Sequence, residues 1–217
     1  MGFMELRNIA FRYAEEEPYE FEDFTMSVEE GTFLLVEGDN GSGKTTLFRI
    51  LNGLSFPERG SYLFDGIEVT QKYLKNNTDA KRFHKRIGYL FQNPDIMLFN
   101  ARVYDEIAFG PRQMGLTDAE VDARVKDCLE LFDLAKLSDK APYHLSGGQK
   151  RKTAMAAVMA LNPEVVILDE PYAGLDRKSQ DTLTQFLGEL KNAGKTLIVA
   201  THNADLPAGL ADERLIL

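Results

Sequence analysis

The chain has 217 residues, 44% of them hydrophobic and 27% charged, and its 25 Lys and Arg against 34 Asp and Glu leave a formal charge of −9. That composition excludes disordered and fibrous classes and suits one or two globular domains around a sizeable core. The acidic balance argues against a free-standing nucleic-acid binder, which would carry a basic excess, so no nucleic-acid partner is expected. Cys128 is the single cysteine and there are three histidines. Neither an intrachain disulfide nor a Cys/His metal cluster is therefore expected, and a reducing, cytoplasmic setting is the simplest reading. The opening residues 1–7 lack the basic and apolar segments of a signal peptide and the Ser/Thr of a myristoylation signal, and nowhere do about 18 apolar residues run together. Any membrane association would have to come from a partner.

In chain order, Met4 to Tyr13 and Tyr19 to Val28 alternate loosely between apolar and polar residues across Glu15-Glu16-Glu17-Pro18, which predicts a hairpin-like pair of strands. Thr32 to Glu37 is a short apolar strand running into glycines, and Thr45 to Leu51 has helical spacing. Strand, glycine loop and helix together point to an α/β core. Ile87 to Phe91 predicts another strand. Val121, Val125, Leu129 and Phe132 predict an amphipathic helix over 118–132, entered at Thr117. Val165 to Leu168 and Thr196 to Ala200 read as buried parallel strands, separated by a helix from about Arg177 to Ala193 that stops near Gly194. No internal repeat or heptad run is present.

Three motifs carry chemistry. Gly38-Asp39-Asn40-Gly41-Ser42-Gly43-Lys44-Thr45 fits G-x-x-x-x-G-K-S/T between its strand and helix. Its glycines let backbone N–H groups close around phosphate oxygens, and the following helix, with Thr45 and Thr46 in its first turn, presents its positive end to the same anion. Lys44 would reach the β and γ phosphates and the Thr45 hydroxyl would ligate Mg2+. Val165 to Leu168 ends in Asp169-Glu170, where an α/β sheet offers its ligand crevice. Asp169 is suited to holding magnesium and Glu170 to polarising an attacking water. Between them lies Leu145-Ser146-Gly147-Gly148-Gln149. Ser146 can cap the following helix while the two glycines leave its N–H groups bare, giving a second helix N-terminus able to take phosphate.

This order of motifs resembles the ATP-binding-cassette (ABC) ATPases, and the resemblance covers essentially the whole chain. It implies an α/β fold: a P-loop NTPase core with a mixed or parallel sheet, an N-terminal antiparallel β-subdomain and an inserted α-helical subdomain. A single domain over 1–217 is expected, with 1–91 and 162–217 forming the core and about 92–161 the helical subdomain. By the same resemblance, Gln92 matches the Q-loop glutamine that touches magnesium and the attacking water. Asp176, in Ala173-Gly174-Leu175-Asp176, matches the D-loop aspartate, and His202 matches the switch histidine that contacts the γ-phosphate. Tyr13 resembles the aromatic that stacks on adenine, with Phe11 as the competing stacker. The family's cassettes pair head to tail, so the Lys44 loop of one chain and the Ser146 loop of the other would enclose one ATP. The expected ligands are thus ATP and Mg2+, and the expected partner is a second ABC ATPase subunit, a like or a related chain.

Residues 88–99 followed by 103–111 resemble the energy-coupling ATPases that drive cobalt, nickel, biotin and other vitamin importers, although Met97 and Lys152 depart from that pattern. The resemblance implies a polytopic membrane subunit docking near residues 94–111, and so a place at the cytoplasmic face of the cell membrane. Ile96, Met97, Leu98, Phe99, Val103 and Tyr104 suit a groove for a partner helix, or the packing of the helical subdomain. Many such ATPases continue well past the histidine, whereas here the last residue is Leu217, as expected of a short type or a trimmed end. The function so implied is the ATP-hydrolysing subunit of a metal or vitamin importer. The alternatives are an exporter or lipoprotein-release cassette, or a soluble ABC ATPase acting on DNA or ribosomes. The chain has neither the coiled-coil insertion of DNA-repair members nor the two cassettes of translation members.

Overall fold

The computed structural model describes residues 2–201 and 209–217. Strand β1 (Met4–Phe11) lies between β2 (Phe21–Val28) and β4 (Arg59–Phe64), and the short β5 (Ile67–Glu68) extends β4. All three pairings are antiparallel. The predicted hairpin is thus present as half of a larger sheet. Its register slips around Asn8, which takes a left-handed φ of 47°. Gly60 sits against that bulge at φ 81°, where a Cβ would lie 2.4 Å from the Arg7 carbonyl oxygen, so only glycine lets β4 approach.

The second sheet contains β3 (Phe33–Glu37), β6 (Ile87–Leu90), β7 (Val165–Asp169), β8 (Thr196–Ala200) and β9 (Glu213–Ile216), in the order β6-β7-β8-β3-β9. Every neighbouring pair in it is parallel. The expectation of a mixed or parallel core sheet resolves to parallel, because the antiparallel strands form a sheet of their own. Its apolar runs are buried on both faces, as parallel strands require. Alternation along β7 divides the core: Val165 and Ile167 pack with helix α1 (Lys44–Leu51), whose Leu47, Phe48, Ile50 and Leu51 fill the space below the antiparallel sheet. Val166 and Leu168 point the other way, toward Leu183, Leu187 and Leu190 of α7 (Arg177–Asn192). Each such buried aliphatic side chain contributes about 1.5–3 kcal/mol.

Helices α2 (Gln71–Lys75) and α3 (Asn77–Arg86) lead into β6. Beyond it stand α4 (Val103–Gln113), α5 (Asp118–Leu131) and α6 (Gly147–Met159), which share a separate cluster built on Val103, Ile107, Val121, Val125 and Leu129. Thr117 and Glu120 close a capping box on α5, which starts where the spacing predicted, and the buried Cys128 packs in the helical cluster. Helix α6 serves two cores at once. Ala154 and Met155 face the parallel sheet while Ala156 faces the helical cluster. Gly88 lets α6 come close, since a Cβ there would stand 2.6 Å from a Val158 methyl.

Candidate functional site

The carboxyl ends of β3, β6 and β7 converge on one cleft of about 430 Å³, so three segments far apart in sequence line the same space. Lys44 and Thr45 come from α1, Gln92 from just beyond β6, and Asp169 and Glu170 from the end of β7. A larger groove of about 550 Å³ lies between α5, α6 and α7. It lacks the glycine loop, and chemistry rather than size selects the smaller cleft.

The glycine loop has positive φ at Gly38, Gly41 and Gly43, and Asn40 lines the cleft beside them. Gly43 caps α1 without a side chain, leaving the first N–H groups of the helix open to an anion. The Lys44 ammonium donates to the carbonyls of Gly38 and Asp39 at 2.6 and 2.8 Å. The Ser42 hydroxyl is buried with no hydrogen-bond partner among the described residues, a donor suited to a phosphate oxygen. Thr45 donates from Oγ1 to Asp169 Oδ2 at 2.8 Å, which joins the loop to the end of β7. A hydroxyl and one carboxylate, completed by substrate phosphates, form the sparse oxygen set that suits Mg2+. The described residues include no cluster of three or more His, Cys, Asp or Glu that could hold a metal by themselves.

Asp169 is buried, and burial together with the Glu170 charge pushes its carboxyl above the usual range, while Thr45, Lys44 and Arg151 pull it back. Glu170 adopts a left-handed φ of 49°, which costs a non-glycine residue on the order of 1 kcal/mol or more. Its N–H donates to the Ala200 carbonyl at 2.9 Å. Its own carbonyl accepts from Ala173 N at 3.2 Å and from the Arg151 guanidinium. Tyr13 is 52% exposed, and its hydroxyl meets Thr46 Oγ1 at 2.9 Å, whereas Phe11 is buried at 6%. Of the two aromatics, only Tyr13 presents its ring outward beside the helix.

Leu145 to Gln149, the segment that by the resemblance is the family's signature motif, do not line the Lys44 cleft. Leu145 is buried in the helical cluster, and Ser146 caps α6 through a reciprocal pair with Gln149. Ser146 Oγ accepts from Gln149 N at 3.3 Å and Gln149 Oε1 accepts from Ser146 N at 3.1 Å. The position of a Cβ on Gly147 is open, and one on Gly148 would be 3.5 Å from the Gly174 carbonyl. Asp176 caps α7 by accepting from Ser179 N at 2.8 Å, which holds its carboxyl below the ordinary range. His202 lies outside the described residues.

Two residues of the site are not read from the motifs. Glu20 lines the cleft near Gly43. Arg151, buried on α6, donates to the Gln92 carbonyl at 3.0 Å as well as to the Glu170 carbonyl. Arg151 lies between Lys150 and Lys152 in the polar first half of α6, so no local pattern sets it apart from its neighbours. In the expected docking segment, Ile96 and Phe99 are exposed, and Phe99 meets Phe109 edge-on at 5.0 Å. Val103 is buried in the helical cluster, the Tyr104 hydroxyl donates to Asp122 at 3.2 Å, and Met97 and Leu98 pack against the parallel-sheet core. The six apolar residues expected there thus divide between surface and packing.

The family model described as ABC transporter matches residues 21–173. The nickel import ATP-binding protein LarO of Lactiplantibacillus plantarum is 46% identical over 200 residues, covering 92% of this chain and 82% of that one. Among solved structures, cbiO1 from Clostridium perfringens, part of the ABC transporter complex cbiONQ, superposes with a TM-score of 0.83 at 32% identity, covering 99% and 84% of the two chains. A dimeric ATP-binding cassette in a post-hydrolysis state bound to ADP and Pi gives 0.88 at 26% identity, covering 99% and 94%. The chain belongs to the ABC transporter family and is an ATP-binding, ATP-hydrolysing subunit of such a transporter.

Proposed function

We propose that the chain powers a membrane importer of a metal ion such as nickel or cobalt, or of a vitamin such as biotin. It would do so from the cytoplasmic face of the membrane, paired with a second ATPase subunit and docked on a polytopic subunit. The observation that carries the catalytic part is the Thr45 to Asp169 hydrogen bond, with Glu170 and Gln92 in the same cleft. The cargo class is supported by the likeness to a nickel import ATP-binding protein and to cbiO1. Peripheral attachment is consistent with the absence, among the described residues, of any helix long and apolar enough to cross a membrane. Residues 1–91 and 162–217 act as the nucleotide-binding core and about 92–161 as the helical subdomain.

In this reading Tyr13 stacks on adenine, and the N–H groups from Gly38 to Thr46 cradle the phosphates. Lys44 exchanges the carbonyls of Gly38 and Asp39 for β and γ phosphate oxygens. Thr45, Asp169 and Gln92 would hold Mg2+, which neutralises phosphate charge when bound. Glu170 accepts the proton of a water that attacks the γ-phosphorus, Gln92 orients that water, and the bond from phosphorus to the bridging oxygen breaks to release ADP. His202 and the partner subunit's Ser146 stabilise the charge on the transferred group, and Asp176 aligns the opposing site. The separation of Ser146 from the Lys44 cleft within one chain supports a site completed by a second chain.

The test is a pull-down of tagged Glu170→Gln chain from detergent-solubilised source membranes with ATP and Mg2+. The expected result is co-purification of a polytopic membrane protein with a companion subunit that binds a metal ion or vitamin. Recovery of only soluble proteins, ribosomes or DNA overturns the importer reading. A Glu170→Gln chain that stays monomeric on size exclusion with saturating ATP overturns pairing with a like chain.

A further inference from the structure

Arg151 stands in the first turns of α6, five residues after Ser146, with its side chain almost wholly buried. One arm of its guanidinium donates to the Glu170 carbonyl and the other to the Gln92 carbonyl at 3.0 Å. These two acceptors belong to loops that leave different strands, β7 and β6, and a planar guanidinium fork can hold both at a fixed separation. The Glu170 backbone is in a strained left-handed conformation. Its N–H is anchored on Ala200 of β8, and its carbonyl is held by two donors, the Ala173 N–H at 3.2 Å within its own loop and Arg151 from α6. Beside Arg151, Lys150 bonds Asp95 at 2.6 Å, a second tie between α6 and the segment after Gln92. Burial opposes the Arg151 charge, and the nearby Glu170 and Asp169 carboxylates offset part of that penalty.

We propose that Arg151 is a positioning residue that couples the Ser146 helix to the two side chains handling the attacking water. By holding the Gln92 and Glu170 backbones together it makes them move with α6, so that engagement of Ser146 by nucleotide is transmitted to the placement of the base. The inference rests on the reading of Gln92 and Glu170 given above. It assigns Arg151 no contact with ATP, and so predicts an effect on turnover without an effect on nucleotide affinity.

The experiment measures kcat for ATP, the Kd for fluorescent mant-ATP and the melting temperature for the full chain and for Arg151→Met and Arg151→Lys. Arg151→Met is expected to lower kcat roughly 10- to 100-fold, the scale of a small misplacement of reacting groups, with Kd held within about twofold. Arg151→Lys, whose ammonium can reach a carbonyl but lacks the fork that holds both at a fixed separation, is expected to recover only part of that loss. A folded Arg151→Met chain with kcat within about threefold of the parent overturns the proposal. So does a parallel loss of kcat, affinity and melting temperature that Lys does not restore. If Arg151→Met does not fold, Arg151→Gln is judged by the same criteria. A parent chain that binds no mant-ATP would instead refute the reading of the cleft, independently of Arg151.

Discussion

At Asp169 the chain keeps a carboxylate where burial opposes its charge, as the proposed magnesium site would require. Its folded pKa lies above the value of a free carboxyl, so the folded chain binds that proton more tightly than the unfolded chain. Ionisation at neutral pH therefore costs stability, and the cost fades as pH falls through the raised pKa. Without nucleotide, Asp169→Asn is expected to melt higher than the parent at pH 7, with the difference shrinking toward acid. A calorimetric series across pH checks this. The same variant is expected to lose hydrolysis by roughly 10²- to 10³-fold. Lys44, Thr45 and Asp169 were legible in the sequence because the glycine loop and the apolar strand ending in Asp-Glu are contiguous patterns whose spacing carries their geometry. Arg151 was not, because a basic side chain in a helix usually faces water, and only packing against two loops turns it inward.

At the scale of elements, Ser146 has two separable duties. Its hydroxyl closes the capping box of α6 and, with the bare N–H groups behind it, is the proposed contact for the partner's nucleotide. Ser146→Ala is expected to destabilise the chain by about 1 kcal/mol in urea denaturation, while Ser146→Gly costs only about a few tenths. Both are expected to weaken ATP-driven pairing, and a defect in pairing that tracked stability alone would leave Ser146 only its capping duty. Helices announced by caps were readable, as with Thr117 and α5. Helix α4 was not, because Gly110 and Pro111 are helix breakers by type; Pro111 lies inside the helix, where it removes the N–H that would bond the Ile107 carbonyl, and the helix ends two residues later at Gln113. Strands β4 and β5 escaped notice because they are short, contain Gly60, and are joined by Asp65-Gly66, so their alternation is brief.

For the whole molecule, the remaining question is where force leaves the cassette. Ile96 and Phe99 are 65% and 66% exposed on the segment that joins the Gln92 loop to α4. An exposed apolar pair of this kind suits a buried anchor in an interface, where truncation costs about 2 kcal/mol, roughly 30-fold in affinity. The double variant Ile96→Asp, Phe99→Asp is expected to abolish co-purification with the membrane subunit while mant-ATP affinity stays within about twofold. Loss of nucleotide binding in that variant would instead place both residues in the support of the cleft.

The sequence by itself determined the local chemistry: the phosphate loop, the acidic strand end, the capped signature helix and the buried apolar strands. Each lies within a short contiguous stretch, where residue spacing translates directly into geometry. Tertiary structure alone decided the strand order β6-β7-β8-β3-β9, the division of Val165 to Leu168 between two cores, and the meeting of Gln92 with Glu170 through Arg151. Those contacts join residues from 19 to 59 positions apart in the case of Arg151. They depend on how whole elements pack, and no local periodicity records that.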